Sequence, residues 1–517
     1  MGQLRRTVGL VSALGMLFVG TALTETASAN HIACGTEITQ NTTLHSDVGP
    51  CNDGHGLVVT RDNVTLNLNG RRVFSDRPLP RMVDGQPDDV IGIFLDDVSG
   101  VTVRNGTVHN FAAGVSIEGG GNNRVTGIIA RDNQGPCIGE DFTTQAVGTY
   151  GDGIVVFASV NNRIEANQTI RNGPFSGISL VANTFQINRI VGQRPTGNVV
   201  RANIVDDNRN CFADIGIRIE GPGASNNTVA NNRVTRSFQE GIAVSSVNNI
   251  NFSGLFRNPP TCQNRGMAGI PPRPFPDLPQ CPAWTGADVT PSNDNNVISG
   301  NVVTNGGFGG PQNPPRGNTQ PTSAQTAAGI ALISFCQGSQ ALGPFTINGR
   351  GNVIRNNWST GNAGHGVYVG GCPPPDLPQF APSPGYTDSR ILNNVAVGNN
   401  AAGCGVLPAA PGCGTRPNAP LFDLFDGSNV ITCPSTSAGT QTLCTPLGFG
   451  PPPGGNTPFL GTRVVVPGYA ACDNNTWRGN AYGTAFPPCT ANGGRQVAGG
   501  QSAAPAAPAE RGSRGGR

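Results

Sequence analysis

Residues 226–246 read NNTVANNRVTRSFQEGIAVSS. Two asparagine doublets each open a short alternation of aliphatic and polar residues, around Val229 and Val234, and a third alternation follows Gly241. Period two is the mark of a strand with one buried face, and nothing here repeats at the helical period. Asparagine bonds its own turn and tolerates left-handed backbone, so a doublet before each strand marks a corner. The stretch predicts two or three short strands separated by tight bends.

The same unit recurs along the chain. The glycine-aliphatic step appears as GIFLDD at 92, GVSIEG at 114, GIVVFA at 153, GISLVA at 177, GIRIEG at 216, GIAVSS at 241, GIALIS at 329 and GVYVGG at 366. The asparagine step interleaves with it, as NNRVTG at 122, NNRIEAN at 161, GNVVRANIV at 197, NNVISGNVV at 295, GNVIRNNW at 351 and RILNNVAV at 390. The closest glycine steps are 22, 24 and 25 residues apart, and the wider gaps read as the same unit carrying insertions. A propeller blade needs about 40 residues, so the period favours a parallel β-helix over a propeller or sandwich. Stacked coils would also let the asparagines bond one another in ladders along the axis.

The pattern resembles the right-handed parallel β-helix proteins of the pectin-lyase-like superfamily over residues 57–400. The opening CGTEITQNTTLHSDVGPCNDGHGLVVTRDNVTLNLNG and the closing CDNNTWRGNAYGTAFPPC are similar to the first coils and the ending of secreted members. The resemblance implies an all-β solenoid with long surface insertions and a loop-rich, cysteine-containing C-terminal segment. On activity it is nearly silent, because the superfamily holds lyases, hydrolases, epimerases and non-catalytic proteins.

The chain divides accordingly. Residues 1–29, with Arg5-Arg6, an apolar run from Val8 to Val19 and the ASA at 27–29, read as a signal peptide. A cap is expected over 30–56, the β-helix over 57–403, a closing segment over 404–500 and a disordered low-complexity tail over 501–517. Pro-rich insertions fall at 258–285, 306–323 and 372–387. The 14 cysteines of an exported chain suggest disulfides, with sequence neighbours pairing: Cys34–Cys51, Cys262–Cys281, Cys404–Cys413, Cys433–Cys444 and Cys472–Cys489. No CxxC or clustered histidine suggests a transition-metal site. The net charge of +2 gives no field that would draw nucleic acid, and no later apolar run is long enough to span a membrane. A secreted monomer is expected.

Stacking places equivalent residues in columns about 4.8 Å apart, so the glycines serve as register marks. Just before them stand Asp152, Ser176, Ile215, Glu240 and His365, with Asp214 one residue earlier. Asp214 and Glu240 would lie roughly 5–8 Å apart, inside the range of carboxylate pairs that cleave glycosidic bonds. These two, with Asp152 and His365 further along, are the acid/base candidates. Acids before glycine also suit an exposed bend, so the same column has a purely structural reading. Four residues after the glycines stand Asp96 and Glu118, which together with Asp97 form a candidate Ca²⁺ site of hard oxygens.

Polygalacturonases share an Asn-Thr-Asp, an Asp-Asp, a Gly-His-Gly and an Arg-Ile-Lys; only GHG recurs, at 54–56 and 364–366, and the chain has no lysine. Pectate lyases use Ca²⁺ and a basic side chain. Here Arg218 is the candidate to hold a substrate carboxylate, since a guanidinium is a poor base but a good clamp. The sequence therefore predicts a secreted β-helix that engages extracellular polysaccharide, as a lyase, hydrolase or epimerase of acidic glycans. The alternative is a non-catalytic surface or matrix protein.

Overall fold

A computed structural model describes residues 31–78, 82–83, 86–87, 90–135, 151–173, 176–181, 194–208, 215–221, 223–245, 293–307, 328–333, 349–370, 385–399, 422–426, 430–434, 461–465, 471–472 and 474–497. The strands stack in parallel, three per coil, into three long sheets. Sheet 1 holds twelve strands, from Thr36–Ile38 and Leu57–Val59 through Ile154–Phe157, Ser176–Val181, Ile215–Glu220 and Ile242–Ser245 to Leu424–Asp426 and Ala485–Phe486. Sheet 2 runs through Thr65–Asn67, Arg163–Glu165, Val199–Arg201, Thr228–Ala230 and Val297–Ser299 to Thr476–Arg478. Sheet 3 runs through Arg72–Phe74, Gln168–Ile170, Ile204–Asp206, Arg233–Thr235 and Val302–Thr304 to Arg495–Gln496. The long strands Thr102–His109 and Arg124–Arg131 serve sheets 2 and 3 at once.

Residues 226–245 form one coil's sheet 2 and sheet 3 strands and the next coil's sheet 1 strand. The residues in the doublets divide their work. Asn226 and Asn231 take left-handed backbone, with φ of 59° and 56°, and turn the corners. Asn227 and Asn232 point inward, fully buried, and donate to Oδ1 of Asn296 at 3.2 Å and Asn301 at 3.0 Å. The longer ladder runs Asn167, Asn203, Asn232, Asn301, Asn357, Asn394, Asn480, each amide donating to the next. The ladders expected from the sequence are present, and they satisfy the backbone groups that bends would leave orphaned.

Inside, columns of aliphatics fill the core: Ile154, Ile178, Ile217, Ile242 and Ile330 on sheet 1, with Val200, Val229 and Ile298 on sheet 2. Each contributes about 1.5–3 kcal/mol of burial, accumulated coil by coil. The pairing begins at Thr36 and continues to Gln496, so segments expected as cap and closing loops carry coils of their own. Cys34–Cys51 and Cys472–Cys489 are bonded at the two ends. The signal segment, the tail and the remaining cysteine pairs lie outside the described side chains.

The glycines that marked the register are not turn glycines. Gly241 has no positive φ; a Cβ there would lie 2.1 Å from Val303 Cγ1 and 2.7 Å from the Gly329 carbonyl oxygen. Close packing of sheet 1 against sheet 3 excludes a side chain. The residue before the glycine is therefore held at the start of a packed strand, not on an exposed bend.

Candidate functional site

Sheets 2 and 3 alternate buried and exposed residues, as Arg233, Val234 and Thr235 do, but sheet 1 is buried on both faces. Three long connections in sequence, 246–292, 308–327 and 334–348, leave or enter at ends of sheet 1 strands. On that outer face Arg218 stands between Ser179 on the preceding rung and Ala243 on the next. Its Nη1 lies 2.6 Å from Glu220 Oε2, two residues along the same strand and on the same side. The arginine is only 8% exposed. Burial works against its charge, yet Glu220, Asp152 and Glu240 together hold its pKa above the usual arginine value.

Asp152 and Glu240 start the strands on either side. Asp152 shares a register position with Ser176 one rung on, and Glu240 with Ile215 one rung back. That makes three rungs between the two acids, roughly 14 Å at the backbone, with Arg218 between them. Asp152 is 3% exposed and Glu240 1%. Burial pushes the Asp152 carboxyl up to about 7, against the opposing pull of Arg218, the Ser179 hydroxyl and the Ser176 amide. An acid poised there gives or takes a proton at neutral pH, and a fixed cation beside it steadies the ionised form.

Not every candidate gathers at this cluster. Asp214 lies outside the described residues, so its distance to Glu240 is not part of the site. His365 stands two rungs beyond Glu240, fully buried, its ring stacked 4.7 Å from Phe425 and 5.5 Å from Tyr368. Its Nδ1 accepts the Phe422 N–H at 2.9 Å. This packing places it in an aromatic column with Phe422 and Phe486, away from Asp152. Of the Ca²⁺ candidates, Asp96 and Glu118 are register neighbours, but Ser116 donates to Glu118 at 3.1 Å and Asp97 accepts the Gly120 N–H at 3.0 Å. Among the described residues no three His, Cys, Asp or Glu side chains gather as a metal site.

Glu220, Ser176 and Ser179 join the site without having been singled out as members. The signal for Glu220 was present: Arg218 and Glu220 alternate on one strand, so period two puts them side by side. The Arg218–Glu220 pairing also changes the part expected of the arginine, which already holds a carboxylate of its own chain.

Residues 88–255 match the family model described as a right handed beta helix region. With the coil geometry above, this makes the chain a right-handed parallel β-helix protein, the fold that its resemblance to the pectin-lyase-like superfamily implied. No curated protein matches. Among solved structures, a pectate lyase is 10% identical, with 71% of this chain and 70% of that chain covered and a TM-score of 0.36. The mannuronan C-5 epimerase A-module of Azotobacter vinelandii is 13% identical, over 70% and 74%, at 0.32. The Dettilon tailspike protein is 12% identical, over 70% of this chain and 46% of its own, at 0.34. This chain thus spans about half of the tailspike's length. At these scores the likenesses carry no argument about activity. Among the described residues no helix is long and apolar enough to cross a membrane.

Proposed function

We propose that the protein is exported and acts on an extracellular polysaccharide laid along the outer face of sheet 1, cleaving it by acid/base chemistry. The observation that carries this reading is the gathering of Asp152, Glu220, Glu240 and Arg218 within four successive coils of a face whose other outward residues include Val155, Phe157, Ser179, Val181, Ala243 and Ser245. Protonated Asp152 gives its proton to the glycosidic oxygen as that bond breaks. Glu240 takes a proton from the water that adds to the sugar carbon. This requires both acid side chains to lean toward Arg218 and close their backbone separation to the roughly 6.5–9.5 Å of an inverting pair. Arg218 orients the acids and offsets their charge. A clamp for a uronate carboxylate, as lyases and epimerases of acidic glycans need, fits less well, because Glu220 already occupies the guanidinium at 2.6 Å.

The second reading is a non-catalytic surface or matrix protein acting as a monomeric rod. It is favoured by the near-complete burial of Asp152 and Glu240, which keeps a polymer from touching them in this conformation. The two part on one experiment. The purified protein is incubated with neutral and acidic polysaccharides, and reducing ends and ultraviolet absorbance of unsaturated products are followed. New reducing ends without absorbance, lost in Asp152→Asn and Glu240→Gln, support hydrolysis. No product from any polymer, or variants as active as the parent, overturns it.

A further inference from the structure

The outer face of sheet 2 carries a different charge pattern. Arg104, Arg124, Arg163 and Arg201 project from four successive coils. Arg124, Arg163 and Arg201 are 51%, 57% and 50% exposed, and all three turn toward one carboxylate, Glu165, at 3.2, 3.5 and 3.0 Å. Glu165 itself is buried, and Arg104 is exposed outside this pairing. Four guanidinium groups against one carboxylate leave an excess of three positive charges, on a chain whose net charge is only +2.

We propose that this face docks a carboxylated polysaccharide, a polyuronate, running along the helix axis. The patch is linear, roughly 14 Å from first to last rung, with positive groups repeating at the coil spacing. An extended polymer bearing an acid on every sugar matches such a row. Guanidinium forks suit planar carboxylates, and Glu165 displays the mode of recognition within the protein itself. The outward neighbours on these rungs are Thr102, Thr126 and Val199, with no aromatic ring. A single-stranded nucleic acid would want stacking platforms there. Two of the four coils, those of Arg163 and Arg201, also carry Asp152 and Ser179 on their sheet 1 side. The acid-rich cluster of sheet 1 would repel a polyuronate, and sheet 2 supplies the complementary charge. The inference does not depend on turnover at Asp152, since binding is read directly.

The test is calorimetric titration of the full chain with polygalacturonate at low salt, with dextran and oligo(dT) as comparisons. Arg104→Gln with Arg124→Gln leaves Arg163 and Arg201 to hold Glu165, and should weaken polygalacturonate binding about tenfold. Arg390→Gln, on a distant coil, should change nothing, and Glu165→Gln should tighten binding. Should the double variant not fold, Arg104→Gln alone should still weaken binding severalfold. Polygalacturonate that binds the folded variants as tightly as the parent overturns the proposal. So does dextran or oligo(dT) binding the parent as well as polygalacturonate does.

Discussion

Asn301 Nδ2 donates to Oδ1 of Asn357 at 2.9 Å across 56 residues of sequence. The distance in sequence is long because two connections, 308–327 and 334–348, separate the coils; in space the two asparagines are rung neighbours. Each ladder member meets four needs at once: it accepts from the previous coil's backbone and amide, and donates to a carbonyl and to the next asparagine. Insertions are tolerated because nothing in this exchange depends on what leaves the coil.

Asn301→Ala should therefore cost about 2–4 kcal/mol, since it orphans the backbone and side-chain donors of Asn232 and exposes the Val229 carbonyl to no partner. Asn231→Gly, at the left-handed corner one residue before the ladder, should cost under about 1 kcal/mol. Urea unfolding midpoints of the two variants check the division of labour within the doublet. Equal losses would refute it.

Gly241→Ala should destabilise by about 1–3 kcal/mol through overpacking against Val303. Pairing it with Val303→Ala removes the nearest methyl and should recover part of the loss. A glycine needed only for a turn would show no such rescue.

Period two and the asparagine doublets made the coils legible, because both reflect backbone geometry that the local sequence must satisfy. The glycine register was also right, though for a reason invisible in one dimension: crowding from Val303 on another sheet. The site was legible only in part. Asp152, Arg218 and Glu240 share a face because the coils stack, which the columns anticipated. That this face is buried, unlike sheets 2 and 3, could not be read from alternation, since outward residues of both kinds look alike. The setting of His365 is illegible for the same reason: its GHG says nothing of Phe422 and Phe425, which arrive about 60 residues later and stack on its ring.

His365→Phe keeps the stacked ring but loses the acceptor for the Phe422 N–H, so about 1–2 kcal/mol of stability should go. Turnover, once a substrate is found, should stay within a fewfold of the parent. A catalytic base or acid would lose about a hundredfold or more. Melting curves and initial rates on the same preparation decide between packing and chemistry.

Asp152 sets the pH dependence. Folded, it keeps its proton up to a pH of about 7; unfolded, it releases it near the ordinary value of about 3.9. Between those limits the native state binds more protons, so this group's contribution to stability is full at acid pH and falls as pH rises through 7. The loss reaches at most about 4 kcal/mol at pH 8. Asp47, Asp132 and Asp206 act in the opposite sense. Although burial raises them, their arginine partners hold each below the usual carboxylate value, so their contribution is lost only as the solution becomes strongly acid. Asp152→Asn should thus match the parent near pH 4 and exceed it in stability at pH 8, with the difference opening between. Subtracting the two denaturation series cancels every other titrating group. A constant difference across that range would mean that Asp152 is ionised throughout, and the proton that the proposed chemistry requires would not be there.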